Sequence, residues 1–215
     1  LAAGGGALVA LGAGWTVTRP DPVTGLLPGA AQAQSADAAA PVVVEMVKGN
    51  PDAPVEVIEY ASYTCPHCAS FHANQYPLLK QNYIDTDKIK FVYREVYFDR
   101  PGLWASMIAR ATDDSNFFFA FSDMLYERQR EWLASGDPTQ IIEDLRTLAK
   151  TAGLDDATLD AVLSAGAQAE ALYTWYQENA QRDSINSTPS FLIDGSNYSN
   201  MAYDEFADIL DGKLG

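Results

Sequence analysis

The sequence predicts an α/β domain divided by a helical insertion, and three features predict it. A β-branched run, Val55-Glu56-Val57-Ile58-Glu59-Tyr60, leads into a Cys-x-x-Cys segment at the start of a helix. From Gly102 to about Gln181 apolar residues keep helical spacing, with Trp104, Met107, Ile108 and Ala111 on one face. Strand character then returns at Ser190-Phe191-Leu192-Ile193 before Asp194-Gly195.

The elements follow in order. Leu1 to Val17 is apolar, rich in small residues and uncharged, and Ala31-Gln32-Ala33 offers a cleavage site of the A-x-A kind, so the N-terminus reads as an export signal or an uncleaved anchor. Pro, Gly, Ala and Gln without apolar periodicity extend this leader to residue 41 as a flexible linker. Residues 42–101 form the first part of the α/β domain. Within it Asn50 to Pro54 is a turn, and His67 to about Tyr83 is a helix with Phe71, Leu78 and Leu79 apolar and a kink at Pro77. A second strand runs from Ile89 to Val96. Residues 102–172 are the insertion, punctuated at Asp137-Pro138-Thr139 and Gly153-Leu154-Asp155. Residues 173–215 complete the α/β domain, with Ala171 to Arg182 as the last helix before a hairpin and Tyr203 to Leu214 closing the chain as a helix.

The chain has 215 residues, 47% of them apolar, which suits one domain with an insertion and a packed core. A net charge of -15 argues against a nucleic-acid partner, because phosphate binding relies on clustered Lys and Arg. It also fits a solvated surface that keeps the protein soluble and monomeric.

The two cysteines, Cys65 and Cys68, stand at i and i+3, so they are not the framework of a stapled miniprotein. At a helix start the first thiolate faces unpaired backbone N–H groups and the positive end of the dipole, which favours ionisation of Cys65. His67 between the two can add to this. A stable thiolate favours the reduced form, so the disulfide form is the better oxidant. A c-type haem needs His after the second cysteine, where Ala69 stands. Cys65, Cys68 and His72 are a partial zinc set with no second Cys or His cluster. An inert disulfide over so short a loop contributes little by chain entropy. His72 itself reads as a helix-face residue.

The segment Glu59-Tyr60-Ala61-Ser62-Tyr63-Thr64-Cys65-Pro66-His67-Cys68 resembles the active-site segment of the DsbA-like thiol–disulfide oxidoreductases, with an acidic residue six positions before the first cysteine. About 120 residues downstream, Ser187-Thr188-Pro189-Ser190-Phe191-Leu192-Ile193-Asp194-Gly195 is similar to the family segment bearing a cis-proline opposite the Cys-x-x-Cys. The resemblance runs from about Val42 to the C-terminus. It implies a thioredoxin-like domain with an inserted helical domain.

By that resemblance Cys65 is the nucleophile that forms the mixed disulfide and Cys68 the buried resolving thiol, while Pro66 and His67 tune the potential. Thr188 and Pro189 form the loop that faces both sulfurs and receives substrate backbone. Glu59 assists proton transfer at the buried thiol, since a carboxylate ending a buried apolar strand is costly unless it serves or is paired; the competing reading is a solvated edge position. Ser187-Thr188 before the proline departs from the best-known members, so peptide affinity and redox poise do not transfer directly. The implied activity is a periplasmic or otherwise extracytoplasmic oxidase of reduced secreted proteins, regenerated by a membrane quinone-linked oxidase, with no metal or other cofactor. The rivals are an isomerase or reductase using the same site, and a redox-inert binding module with a structural or zinc-bound Cys-x-x-Cys.

Overall fold

The computed structural model describes residues 41–112 and 114–215. The expected export signal and its cleavage site lie outside these residues. The first described strand, β1 (Met46–Gly49), is an edge strand with one side chain buried. It ends at Gly49, where φ is +86° and an added Cβ would stand 2.7 Å from the Ile89 carbonyl oxygen, so the close approach to the next strand requires glycine.

Strand β2 (Val55–Ala61) carries the site. Its near-continuous apolar run is explained by burial on both faces, which a central strand demands. β2 pairs in parallel with β3 (Ile89–Glu95), Glu59 opposite Tyr93, and antiparallel with β4 (Ser190–Ile193), Glu59 opposite Phe191. A short antiparallel β5 (Ser196–Ser199) completes a five-stranded sheet of order β1-β3-β2-β4-β5.

Between β2 and β3 the chain forms α1 (Pro66–Asn74), α2 (Tyr76–Leu79) and a π-helical turn at Lys80–Ile84. The single kinked helix expected from the sequence is thus three pieces. Pro77 lacks an N–H and its ring crowds the carbonyl four residues back, so the regular ladder ends at Asn74, ahead of the proline. Leu78, expected on the apolar face, is exposed.

The helices α3 (Arg100–Ala109), α4 (Ser115–Glu127), α5 (Gln129–Trp132), α6 (Pro138–Thr151), α7 (Asp156–Leu163) and α8 (Gly166–Arg182) follow β3 in unbroken succession. Side chains of Asp99, Asp114, Asp137 and Asp155 accept backbone N–H groups at the starts of α3, α4, α6 and α7, the pairing an N-cap aspartate favours. Residue 173, where the sequence divides insertion from domain, falls inside α8. After the hairpin, α9 (Tyr203–Leu214) packs Phe206 on Phe71 and Phe191.

One sheet face, with Val57, Ala61, Phe91 and Tyr93, shares a continuous core with α1, α9 and the helical block. On the other face Ile58, Tyr60, Val92 and Val96 are covered by Tyr176 of α8 and Ile185. Arg110 at the end of α3 reaches the last residue of β3, its Nε 2.5 Å and Nη2 2.7 Å from the two oxygens of buried Glu95. That bidentate geometry compensates both charges for the loss of water and fixes the helical block on the sheet.

Candidate active site

β2 ends at Ala61, and the chain turns so that the Cys65 N–H donates to the Ser62 carbonyl at 3.1 Å. Cys65 is the N-cap of α1, extended at φ -81° and ψ 120°, with Pro66 at the first helical position. Proline suits that place because its missing N–H is one the helix start leaves unpaired. The geometry aims the first amides of α1 back at the Cys65 sulfur. Cys65 is 8% exposed and Cys68 fully buried, while Pro66 and His67 face solvent. Both cysteines are free thiols.

The loop before β4 comes from 123 residues away, and the Cys65 Sγ stands 3.5 Å from the Thr188 carbonyl oxygen. The Thr188-Pro189 bond is cis. Cys65, Cys68, Thr188 and Pro189 are therefore gathered at one end of the sheet, as the sequence motifs require.

The two thiols ionise in opposite directions. A hydrogen bond from Cys68 is the largest influence on Cys65. With the Thr188 hydroxyl and the backbone N–H groups of Cys68 and His67, it lowers the Cys65 thiol from 9.0 to about 5 against the opposing cost of burial. Thr188 Oγ1 is buried with no partner when Cys65 is a thiol, so ionisation supplies one. Burial above all, then its donation to Cys65 and the charge of Glu59, push Cys68 far up. The part of His67 that acts on the sulfur here is its backbone amide; its ring lies in the exposed part of the turn.

Glu59 is fully buried in the central strand, which excludes the solvated edge position. Its carboxylate meets His72, one turn beyond Cys68 on α1, with Nε2 at 3.1 Å from each oxygen. His72 does not complete a metal set: no group of three or more His, Cys, Asp and Glu among the described residues is arranged to hold a metal ion. The ring stacks on Tyr126 at 4.1 Å and lies tilted against Tyr76 at 4.6 Å. His72 and Tyr76 line a cleft of about 880 Å³ between α1–α2 and α4–α5, with Pro66, Asp123, Tyr126 and Arg130.

Sequence reasoning passed over several residues that hold the site. Gln129 of α5, 5% exposed, donates through Nε2 to the carbonyls of Tyr63 at 2.8 Å and Cys65 at 2.9 Å. Tyr63 stacks on Tyr93, and its hydroxyl lies 2.7 Å from Ser122 Oγ on α4. No periodicity marks such contacts. Only the i, i+4 spacing of Cys68 and His72 was visible as a signal.

A mixed sheet with a Cys-x-x-Cys at the helix start after its central strand, an opposed proline loop and an inserted helical block define a thioredoxin-fold dithiol protein. The family profile described as Thioredoxin matches residues 42–212. The chain belongs to the thioredoxin family. A Rickettsia bellii protein, provisionally named a protein-disulfide oxidoreductase, is 34% identical over 170 residues, 79% of this chain and 64% of its own length. The chain thus spans less than two thirds of that relative. Disulfide bond formation protein D of Bacillus subtilis is 28% identical over 176 residues, covering 78% of this chain and 76% of its own. Among solved structures, alpha-DsbA1 of Wolbachia pipientis superposes with a TM-score of 0.71 at 25% identity, over 81% of this chain and 92% of its own.

Proposed function

We propose that this chain is an extracytoplasmic thiol–disulfide oxidase that introduces disulfides into reduced secreted proteins through Cys65-Pro66-His67-Cys68. The observation that carries the reading is the placement of the pair, Cys65 at the start of α1 beside Thr188 and Cys68 fully buried behind it, which drives the two thiols to ionise in opposite directions. A Cys65 thiol lowered to about 5 is a thiolate at neutral pH, which favours the dithiol form and makes the disulfide form a strong acceptor.

In the forward step a substrate thiolate attacks Cys65 Sγ of the Cys65–Cys68 disulfide. The new S–S bond joins substrate to Cys65, and the electron pair of the broken bond leaves on Cys68, which takes up a proton because its burial disfavours the anion. A second substrate thiolate then attacks the substrate sulfur of the mixed disulfide, releasing Cys65 as its stabilised thiolate. Cys65 is the attacked atom because it alone of the pair has any exposure. Thr188 and Pro189 border it, and an extended peptide would lie along this loop by backbone contacts, which makes binding largely independent of sequence. Pro66 and His67 complete the turn, and the His67 backbone N–H adds to the tuning of the potential.

The protein acts as a monomer, and a membrane quinone-linked oxidase returns the pair to the disulfide. No described helix is long and apolar enough to cross a membrane; export rests on the apolar leader before residue 41. The test is a paired substitution. Cys65→Ser should abolish disulfide transfer to a reduced, unfolded substrate. Cys68→Ser should keep an attacking thiol and accumulate mixed disulfides resolvable by non-reducing electrophoresis. Turnover retained in Cys65→Ser would refute the assignment.

A further inference from the structure

We propose that His72 is the proton gate of the buried thiol, passing a proton between the cleft beside α1 and Cys68 by way of Glu59. This deepens the oxidase reading and rests on it.

Three placements carry the inference. His72 stands at i+4 from Cys68, so both project from the same face of α1 towards β2. Nε2 lies 3.1 Å from both Glu59 oxygens, and the two side chains are only 6% and 0% exposed. With a carboxylate as its partner, Nε2 is the donor and Nδ1 the nitrogen left over. That Nδ1 is buried and has no hydrogen-bond partner, although the ring borders the cleft. A structural histidine clamped between tyrosines has no need of an unpaired nitrogen, and burying one costs free energy. A ring that exchanges protons has such a need.

The chemistry balances. When a substrate thiolate attacks Cys65, the Cys65–Cys68 bond breaks and its electron pair goes to Cys68. The Glu59 carboxylate takes the Nε2 proton and passes it to that sulfur, ending as a carboxylate again, while Nδ1 takes one proton from water entering from the cleft. The ring ends in its other tautomer. Reoxidation of the dithiol removes the Cys68 proton by the same path in reverse and restores the first tautomer, so each catalytic cycle closes.

The groups around His72 leave Glu59 as the receiver. Tyr76 on α2, Tyr93 on β3 and Tyr126 on α4 all touch the ring and are held far above their usual ionisation range by burial, so they stay neutral. Lys80, Asp123 and Glu127 line the same cleft, as do Arg130 and Glu131 of α5. On α1 itself the titratable neighbour is Cys68, whose ionisation is opposed by the charge of Glu59.

The experiment uses the full chain in its disulfide form and follows reduction by dithiothreitol and by a reduced peptide across pH, in wild type, His72→Gln and His72→Ala. His72→Gln keeps a polar group of similar reach and guards against a fold defect. It should lower kcat by about a hundredfold, the low end of what a positioned proton donor supplies, with KM unchanged and the pH profile altered. Added imidazole should enter the cleft and restore His72→Ala towards the wild-type rate. Wild-type rates in His72→Gln at every pH, or a loss in His72→Ala that is the same at every pH and untouched by imidazole, would overturn the proposal. Either result leaves the oxidase reading intact, whereas a wild-type protein that oxidises no peptide overturns that reading instead.

Discussion

Cys65 and Cys68 lie less than one helical turn apart, yet burial and hydrogen bonding drive their ionisation in opposite directions. The donors that stabilise the Cys65 thiolate are the Cys68 thiol, the Thr188 hydroxyl and the first amides of α1. Thr188→Val removes one of these without touching either sulfur, so the Cys65 pKa should rise from about 5, read by thiolate ultraviolet absorbance. An unchanged titration would show that the hydroxyl does not reach the sulfur. At this scale much was legible in the sequence. A Cys-x-x-Cys after a strand announces a helix N-terminus, and the Thr188-Pro189 segment stands opposite Cys65 as its motif implies. His72 was not legible as a partner of Glu59, because spacing on one helix says nothing about which side chain of a neighbouring strand it meets.

Among the elements, α5 reaches the redox loop through a single side chain. Its first residue, Gln129, bridges the carbonyls of Tyr63 and Cys65 and so couples the helical block to the backbone that presents the thiolate. Gln129→Leu leaves both buried carbonyls without that donor, and denaturant unfolding should show a loss of about 1–3 kcal/mol. Stability equal to wild type would mean that water replaces the amide without cost. The strands from Val55, Ile89 and Ser190 were legible because central strands of a sheet covered on both faces must be apolar throughout. β1 was not, since a four-residue edge strand that buries one side chain has little pattern to read. The π-helical turn after Pro77 escaped for a similar reason: a proline shows where a helix fails but not what replaces it.

For the molecule as a whole, the Cys65 shift links redox state to stability. Its folded pKa lies below the unfolded value, so its contribution to the dithiol form is fully present above 9.0 and is lost as pH falls through about 5. The disulfide form has no such titration. The melting temperature of the dithiol form, measured against that of the disulfide form, should therefore rise from pH 5 to pH 9. Above that range the raised Cys68 pKa reverses the trend, because the unfolded thiol ionises and the folded one does not. A difference that stays flat with pH would remove the thiolate from the energetics. The central claim, that the site is built to donate a disulfide, is tested most directly by the equilibrium reduction potential of Cys65–Cys68 in glutathione buffers. The account predicts a potential more oxidising than the glutathione pool, above about -200 mV. A value near that of a reductase, about -270 mV, would contradict it.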